Sequence, residues 1–341
     1  MARSGKSQVQ ELRFDEKLVL FKFMQRELGI NDMKQLSQQM NRPEEEGINE
    51  ATGCTLFVEH FLTRPDCRIP EATLRVYDEH IQRWTRQIGD KRGGLTWKYF
   101  QYLSLLFTEI YLDRWFSDKE AFQKELTKFL HEEDNRTLGQ IGFKDYDMKK
   151  MNKLAFMSAT GSGKTLILHA NILQFTYYLQ RAKRINASVG INKIILLTPN
   201  ESMSRQHEDE LKMSGIPAGI FVKEGPLKFG KDEVCIIDVN KLDDVGKDKT
   251  ISVDSFETNN LLLVDEGHRG LSGEKWFGYR QKMAEDGFTF EYSATFKQAL
   301  AGKKTKKEDK ETVEDYQKAI IFDYSYKHFY NDGYGKDYRI Y

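Results

Sequence analysis

The sequence predicts an α/β protein in which a parallel, doubly wound sheet is flanked by helices and preceded by a mostly helical region. Two observations predict this fold. Apolar residues recur at helical spacing from about residue 8 to residue 130, whereas short apolar runs alternate with helical stretches from about residue 153 onwards. Alternating strands and helices form parallel sheets, because each connection between neighbouring parallel strands must cross the sheet, usually as a helix.

The N-terminal region is predicted to consist of several helices. Its apolar residues lie at helical spacing in LVLFKFMQRELG and in LTWKYFQYLSLLFTEIYLDRWF, and Pro43, Pro65 and Pro70 interrupt the pattern. Proline ends a helix because it lacks a donor N–H and clashes with the preceding turn. We therefore divide the chain into a helical region, 1–95, and a sheet domain, 96–341, whose helical lead-in extends to about residue 150.

Six short apolar runs are predicted to be strands that are buried on both faces of the sheet. The runs are KLAFMS, KIILLTP, EVCIIDV, NLLLVDE, FTFEYSAT and KAIIFDYS. Their polar residues lie mainly at their C-terminal ends, where the ligands of doubly wound folds gather. The charged segment 301–315 precedes the last run, and we interpret it as a solvated loop or as a basic finger that contacts phosphates.

The composition indicates a soluble globular chain of 341 residues, with 30% charged and 39% hydrophobic residues. Lys plus Arg equals Asp plus Glu at 52 each, so the net charge neither suggests nor excludes a nucleic-acid partner. No apolar run has the length of a membrane span, and the N-terminus lacks a signal-peptide pattern. The three cysteines have no zinc-site spacing. We therefore expect a cytoplasmic protein that makes no membrane contact.

A glycine-rich segment follows the first predicted strand and precedes a predicted helix. In MSATGSGKTLILHA, the residues Gly163, Lys164 and Thr165 fit the phosphate-binding pattern G-x-x-x-x-G-K-[ST], with Gly161 inside its variable stretch, whereas Ser158 replaces the first Gly. Backbone N–H groups of such a loop, here including those of Thr160 and Ser162, wrap a phosphate, and the helix N-terminus adds its positive end. Lys164 would neutralise the β- and γ-phosphates of ATP, and Thr165 would bind Mg²⁺ through its hydroxyl.

Two acids follow another strand of the predicted sheet. Asp265 and Glu266 come directly after the apolar run LLLV. A phosphate loop requires a second metal ligand on a neighbouring strand, and Asp265 would contact Mg²⁺ directly or through water. Glu266 would then lie beside the γ-phosphate, where it would orient and deprotonate the attacking water.

Hydroxyl and amide side chains end two further strands. Thr198 and Asn200 follow KIILL, and Ser293 and Thr295 follow FTFEY. At the shared edge of a parallel sheet, these groups can bind a phosphate backbone without reading bases. Taken alone, Ser, Thr and Asn at strand ends usually cap the next helix.

These segments, in this order, resemble the motifs of a known protein superfamily. GSGKT, TPN, DEGH and SAT resemble motifs I, Ia, II and III of the superfamily 2 helicases, and Ser158 is an ordinary first residue of motif I in that group. The residues that flank these motifs resemble the DEAD/DEAH-box-like helicase module of type III restriction enzyme Res subunits, over about residues 95–341. The resemblance implies a P-loop nucleoside triphosphatase whose parallel sheet is the first RecA-like lobe of an ATP-dependent helicase or translocase.

The resemblance also implies roles for further residues. His268, the last residue of DEGH, would link the hydrolysis site to Ser293 and Thr295. Together with Thr198 and Asn200, Arg205 would contact the DNA backbone. Gln101 is the best candidate for the adenine-binding Gln of these proteins, although it lies unusually far upstream of the phosphate loop.

The implied cofactors are ATP and Mg²⁺, and the implied polymer is DNA, as a duplex or a displaced strand. We expect a methyltransferase or specificity subunit as a further partner. The sequence shows no second lobe or nuclease after SAT, so we expect both in a longer protein and slow ATP hydrolysis by this chain alone. Two alternatives stay open: a nucleotide-binding regulatory or scaffold subunit that does not hydrolyse ATP, and a helicase that acts on RNA.

Overall fold

The structure is a computed structural model that describes residues 11–222, 230, 232–243, 251–265, 274–296 and 307–335. Within these residues, seven strands form one sheet: β1 (Lys153–Ser158), β2 (Ile194–Thr198), β3 (Ala218–Ile220), β4 (Val234–Asp238), β7 (Leu261–Asp265), β8 (Phe288–Ser293) and β9 (Ile320–Tyr324). Their order in the sheet is β3-β4-β2-β7-β8-β1-β9, and all neighbouring strands are parallel. Two short strands, β5 (Leu242–Asp243) and β6 (Ile251–Ser252), pair separately.

The six predicted strands are confirmed, and they are almost entirely buried. Burial on both faces follows from their composition, because branched and aromatic side chains stand on each face of the pleat. The edge strand β3 was not predicted, since its three residues show no apolar run.

Helices cover both faces of the sheet and form the N-terminal region. They are α1 (Val19–Glu27), α2 (Met33–Met40), α3 (Leu56–Leu62), α4 (Glu71–Gly89), α5 (Tyr99–Ser117), α6 (Lys119–Arg136), α7 (Lys164–Ile185), α8 (Glu201–Met213), α9 (Glu274–Met283), α10 (Lys307–Ala319) and α11 (Tyr326–Asn331). The predicted helical character of the N-terminal region is confirmed. The loop interpretation of 301–315 is wrong from Lys307 onwards, because α10 begins there; residues 301–306 lie outside the described residues.

The helical region packs directly on the sheet domain. Helices α4 and α5 pack against α7, and α1 packs against β9, so that one hydrophobic core includes residues such as Phe23, Phe107 and Phe290. Helix α5 is buried around most of its circumference, which explains why its sequence is apolar on all sides. The division of the chain at residue 95 stays a prediction, and the two parts share their core.

A second apolar cluster lies on the other face of β2, β4 and β7 and includes Leu197, Ile237 and Val264. The two clusters bury both sides of the central strands and fix where their carboxyl ends lie. None of the helices in the described ranges combines the length and apolar character needed to cross a membrane.

Candidate nucleotide site

The phosphate loop connects β1 to α7 in a conformation that requires glycine. Gly161 and Gly163 have φ values of 86° and 85°, a left-handed region that side chains with a Cβ disfavour. The loop is closed by a hydrogen bond of 3.1 Å from the N–H of Ser162 to the carbonyl of Ala159. Helix α7 begins at Lys164, so Thr165 lies in its first turn.

The loop has features that fit a bound triphosphate. The first N–H groups of a helix have no intrahelical acceptor, and they point out of its N-terminus. Ser162 is buried, and its Oγ has no hydrogen-bond partner among the described residues. Thr160 and Gly161, by contrast, are exposed, so a ligand can approach the loop from solvent.

Gln101 lies against the loop. Its Nε2 donates a hydrogen bond of 2.8 Å to the carbonyl of Ser162, and its Oε1 accepts one of 2.9 Å from the N–H of Lys98 at the start of α5. One amide hydrogen and one lone pair of Gln101 remain for a further partner. The predicted candidate therefore contacts the glycine-rich loop, and its adenine contact stays a prediction.

The C-terminal described segment also approaches the loop. Phe329 of α11 lies beside Gly161, and the Asp332 carboxylate accepts hydrogen bonds from Tyr99 of α5, Tyr324 of β9 and Ser37 of α2. The sequence did not identify this segment as part of the loop's surroundings. Its aromatic composition was the available signal, but aromatic residues in this chain are frequent throughout.

Asp265 ends β7 on the same edge of the sheet as the loop. Strand β8 lies between β7 and β1, so the ends of β7 and β1 are about 10 Å apart, or two strand spacings. The register pairs Asp265 with Tyr292 and Met157 with Ser293. The structure thus brings the predicted metal ligand close to the phosphate loop, with Ser293 between them.

Asp265 is held by a histidine that the motifs did not identify. The Nε2 atom of His207, on α8, lies 2.9 Å from Oδ2 of Asp265, and both side chains are buried. The sequence did contain a signal, because Asn200, Ser204 and His207 have the i, i+4, i+7 spacing of one helix face. That spacing places His207 on the side of α8 that faces the sheet.

The predicted polymer contacts have different surroundings. Thr198 is 0% exposed, and its Oγ1 lies 2.6 Å from Oγ of Ser204, so a polymer cannot reach its side chain in this structure. Asn200 is exposed and caps α8 by accepting a hydrogen bond from the N–H of Met203. Arg205 is exposed on α8 and forms an ion pair of 2.8 Å with Glu201.

Ser293 and Thr295 form a local turn at the end of β8. The N–H of Thr295 donates a hydrogen bond of 3.2 Å to Oγ of Ser293, which is fully buried, whereas Thr295 is half-buried. Glu266 and His268 lie outside the described residues, so their predicted roles stay predictions.

The donor set fits ATP and Mg²⁺. Thr165 and Asp265 provide a hydroxyl and a carboxylate, the oxygen ligands that Mg²⁺ prefers, and the unpartnered hydroxyl of Ser162 lies within the loop. Three-residue clusters of His, Cys, Asp and Glu that could hold another metal are absent from the described part of the chain. The candidate metal site therefore requires the nucleotide's own phosphates to complete it.

The all-parallel sheet and the glycine loop between β1 and α7 define the class of the molecule as a RecA-like P-loop fold. Residues 117–298, more than half of the chain, match the family described as type III restriction enzyme, Res subunit. The chain belongs to this family, and the resemblance seen in its motifs is confirmed. Family membership supports a helicase-type ATPase module.

One solved structure that resembles the chain is S. cerevisiae Dbp5 bound to RNA and ADP BeF3, with a TM-score of 0.33 and 15% sequence identity. The match covers 50% of this chain and 41% of the Dbp5 chain, so it spans less than half of that protein. No curated protein matches the sequence.

Proposed function

We propose that this chain is the ATP-driven motor module of a DNA-acting helicase or translocase of the restriction type. The observation that carries the proposal is the position of the phosphate loop and of the buried Asp265 carboxylate on one edge of the sheet. Membership in the Res family supports the motor class. The proposal specifies DNA as the polymer and restriction as the biological role.

In this proposal the loop holds the triphosphate. The N–H groups of Thr160, Gly161 and Gly163 would surround the β-phosphate, Lys164 would neutralise the β- and γ-phosphates, and Thr165 and Asp265 would bind Mg²⁺. When bound, Mg²⁺ would neutralise the charge that develops on the transferred phosphoryl group. Glu266 would orient the attacking water and accept its proton.

The nucleic acid would bind across the same edge. Asn200 and Arg205 are exposed on α8 and would contact backbone phosphates, which gives affinity without sequence selection. Ser293 and Thr295 lie at the end of β8, between β7 and β1. There they would transmit the nucleotide state to the polymer site through His268. DNA would bind as a duplex or a displaced strand, and a methyltransferase or specificity subunit would supply sequence recognition.

The proposal is tested by measuring how nucleotide changes polymer affinity. Fluorescence anisotropy with a DNA duplex, the matched single strand and the matched RNA strand gives each affinity with ATP and Mg²⁺, with ADP, and without nucleotide. Lys164→Ala removes the phosphate contact, and Lys124→Ala, at an exposed position on α6, is the matched control.

We expect DNA affinity to depend on the nucleotide in the wild type and in Lys124→Ala, and to become independent of it in Lys164→Ala. Tighter binding of RNA than of DNA would replace the DNA proposal with an RNA-acting motor. If ATP binds without turnover under every condition, and polymer affinity never responds to it, the regulatory or scaffold alternative would be correct.

A further inference from the structure

The candidate metal ligand Asp265 forms a hydrogen bond with a side chain of another element, His207 of α8. Nε2 of His207 lies 2.9 Å from Oδ2 of Asp265, and the two residues are 3% and 9% exposed. A carboxylate oxygen can only accept, so Nε2 carries the proton and the imidazole is the donor. This bond restricts rotation of the Asp265 carboxylate about its terminal torsion, which is otherwise broad.

His207 is held in place because α8 is fixed at both ends. At the N-terminal end, Asn200 caps the helix, and Ser204 forms a hydrogen bond of 2.6 Å with Thr198 of β2. At the C-terminal end, Arg92 from the helical region forms an ion pair with Glu210 and donates a hydrogen bond of 2.8 Å to Ser214. The donor is therefore positioned by rigid elements on two sides.

A second histidine lies near this contact. His169, on α7, forms a hydrogen bond of 2.7 Å with Ser214, and burial, together with the charges of His207 and Arg92, lowers the pKa of His169 to about 3. His169 is thus neutral at physiological pH.

We propose that His207 is a positioning residue that orients the Asp265 carboxylate toward the Mg²⁺ of the bound nucleotide. The inference rests on the proposed function. Ligating carboxylates are commonly fixed by such outer hydrogen bonds, whose removal typically lowers metal affinity 10- to 100-fold. Helix α8 also carries Asn200 and Arg205, so the same helix connects the proposed polymer contacts to the metal ligand.

The test separates metal affinity from nucleotide affinity. ATP affinity is measured in EDTA, and Mn²⁺, which is visible by electron paramagnetic resonance, is then titrated into the complex of protein and ATP. His207→Leu removes the donor, whereas His207→Gln places an amide N–H near the position of Nε2. Gln206→Leu, at an exposed position on the same helix, is the matched control.

We expect His207→Leu to weaken Mn²⁺ binding at least tenfold while ATP affinity in EDTA stays within about twofold of the wild type. His207→Gln should recover most of the loss, and Gln206→Leu should bind Mn²⁺ as the wild type does. If His207→Leu does not fold, His207→Asn, whose amide is too short to reach Asp265, replaces it in the comparison with His207→Gln.

Equal Mn²⁺ affinity in the wild type and in the variant without the donor would overturn the role of His207 and leave the proposed function intact. An equal loss of ATP affinity in EDTA and of Mn²⁺ affinity, without recovery in His207→Gln, would make His207 a structural residue. A wild-type chain that binds no ATP under either condition would instead refute the proposed function.

Discussion

Gln101 donates a hydrogen bond of 2.8 Å to the carbonyl of Ser162, although 61 residues separate them in the sequence. The bond connects the N-terminus of α5 to the phosphate loop, and Lys98 fixes the other end of the same amide. The lead-in helix thus supports the candidate nucleotide site directly. Its deletion or displacement would change the conformation of the loop.

Gln101→Ala should lower ATP affinity about fivefold, because the net contribution of one hydrogen bond is about 1 kcal/mol. Competition between ATP and GTP distinguishes two roles. If Gln101 only supports the loop, the affinities for ATP and GTP decrease equally. If Gln101 also contacts adenine, the preference for ATP over GTP decreases as well. Unchanged affinity for both would show that the contact with Ser162 has no role in binding.

Gly163→Ala should impair nucleotide binding while the fold stays intact. The substitution strains a φ of 85°, at a cost of about 1–3 kcal/mol, and its Cβ would collide with the Gln101 amide. Gln101→Ala in the same chain relieves the collision but not the strain, so the double variant should bind ATP no worse than Gly163→Ala alone.

The matched control for this prediction is Gly278→Ala in α9, where an added Cβ meets no atom within 4 Å. Because alanine favours helices, this variant should unfold at the same or a slightly higher temperature. Wild-type ATP affinity in Gly163→Ala, measured by calorimetry, would contradict the requirement for a left-handed glycine in the loop.

Glu291 of β8 is the centre of a buried charge cluster. Lys153 forms an ion pair of 2.9 Å with its carboxylate, Arg280 lies 3.4 Å away, and Tyr316 donates a hydrogen bond of 2.6 Å to it. Burial alone would raise the pKa of Glu291, but Arg280 and Lys153 lower it from 4.5 to about 2.

A carboxylate whose pKa is lower in the folded protein stabilises the fold above its unfolded pKa, and this contribution is lost as the pH falls from about 4.5 to 2. Glu291→Gln should therefore reduce the free energy of unfolding at pH 7 by about 3 kcal/mol and flatten its decline in acid. Denaturant titrations at several pH values check this, with exposed Glu285→Gln as the control. If the free energy of unfolding of Glu291→Gln depended on pH as that of the wild type does, the stabilising role of the Glu291 carboxylate would be contradicted.

The fragment 96–341 should not fold as an independent domain. Helices α1 and α4 bury apolar residues such as Leu20 and Leu74 against the remainder of the chain, and their removal exposes that surface to water. Analytical ultracentrifugation and circular dichroism of the fragment beside the full chain measure the effect. A monomeric fragment with the full chain's cooperative unfolding would show that residue 95 is a true domain boundary.

The sheet was predictable from the sequence because its strands are unusually apolar, and the phosphate loop because glycine is required at Gly161 and Gly163. The edge strand β3 was too short to predict. Helix α10 was missed because its charged residues suggested a solvated loop, although Lys and Glu are good helix formers and Tyr316 packs inward.

The contacts of individual side chains were harder to predict than the helices and strands. The contact between His207 and Asp265 joins two distant segments; the helical spacing places His207 on the inner side of α8 but does not specify its partner. Thr198 was predicted to contact DNA because it ends a strand, but the turn after β2 directs its hydroxyl to Ser204. Both outcomes depend on which residues of the neighbouring strands α8 contacts, which its helical spacing does not determine.

We propose the loop after β1 as the phosphate site of an ATP-binding module, and the calorimetric affinity for ATP in the presence of Mg²⁺ tests this most directly. The wild-type chain should bind ATP, and Lys164→Ala should bind it at least tenfold more weakly, since one charge-assisted phosphate contact is worth about 1.5–3 kcal/mol. Equal affinity in the two chains, or no binding by the wild type, would contradict the claim.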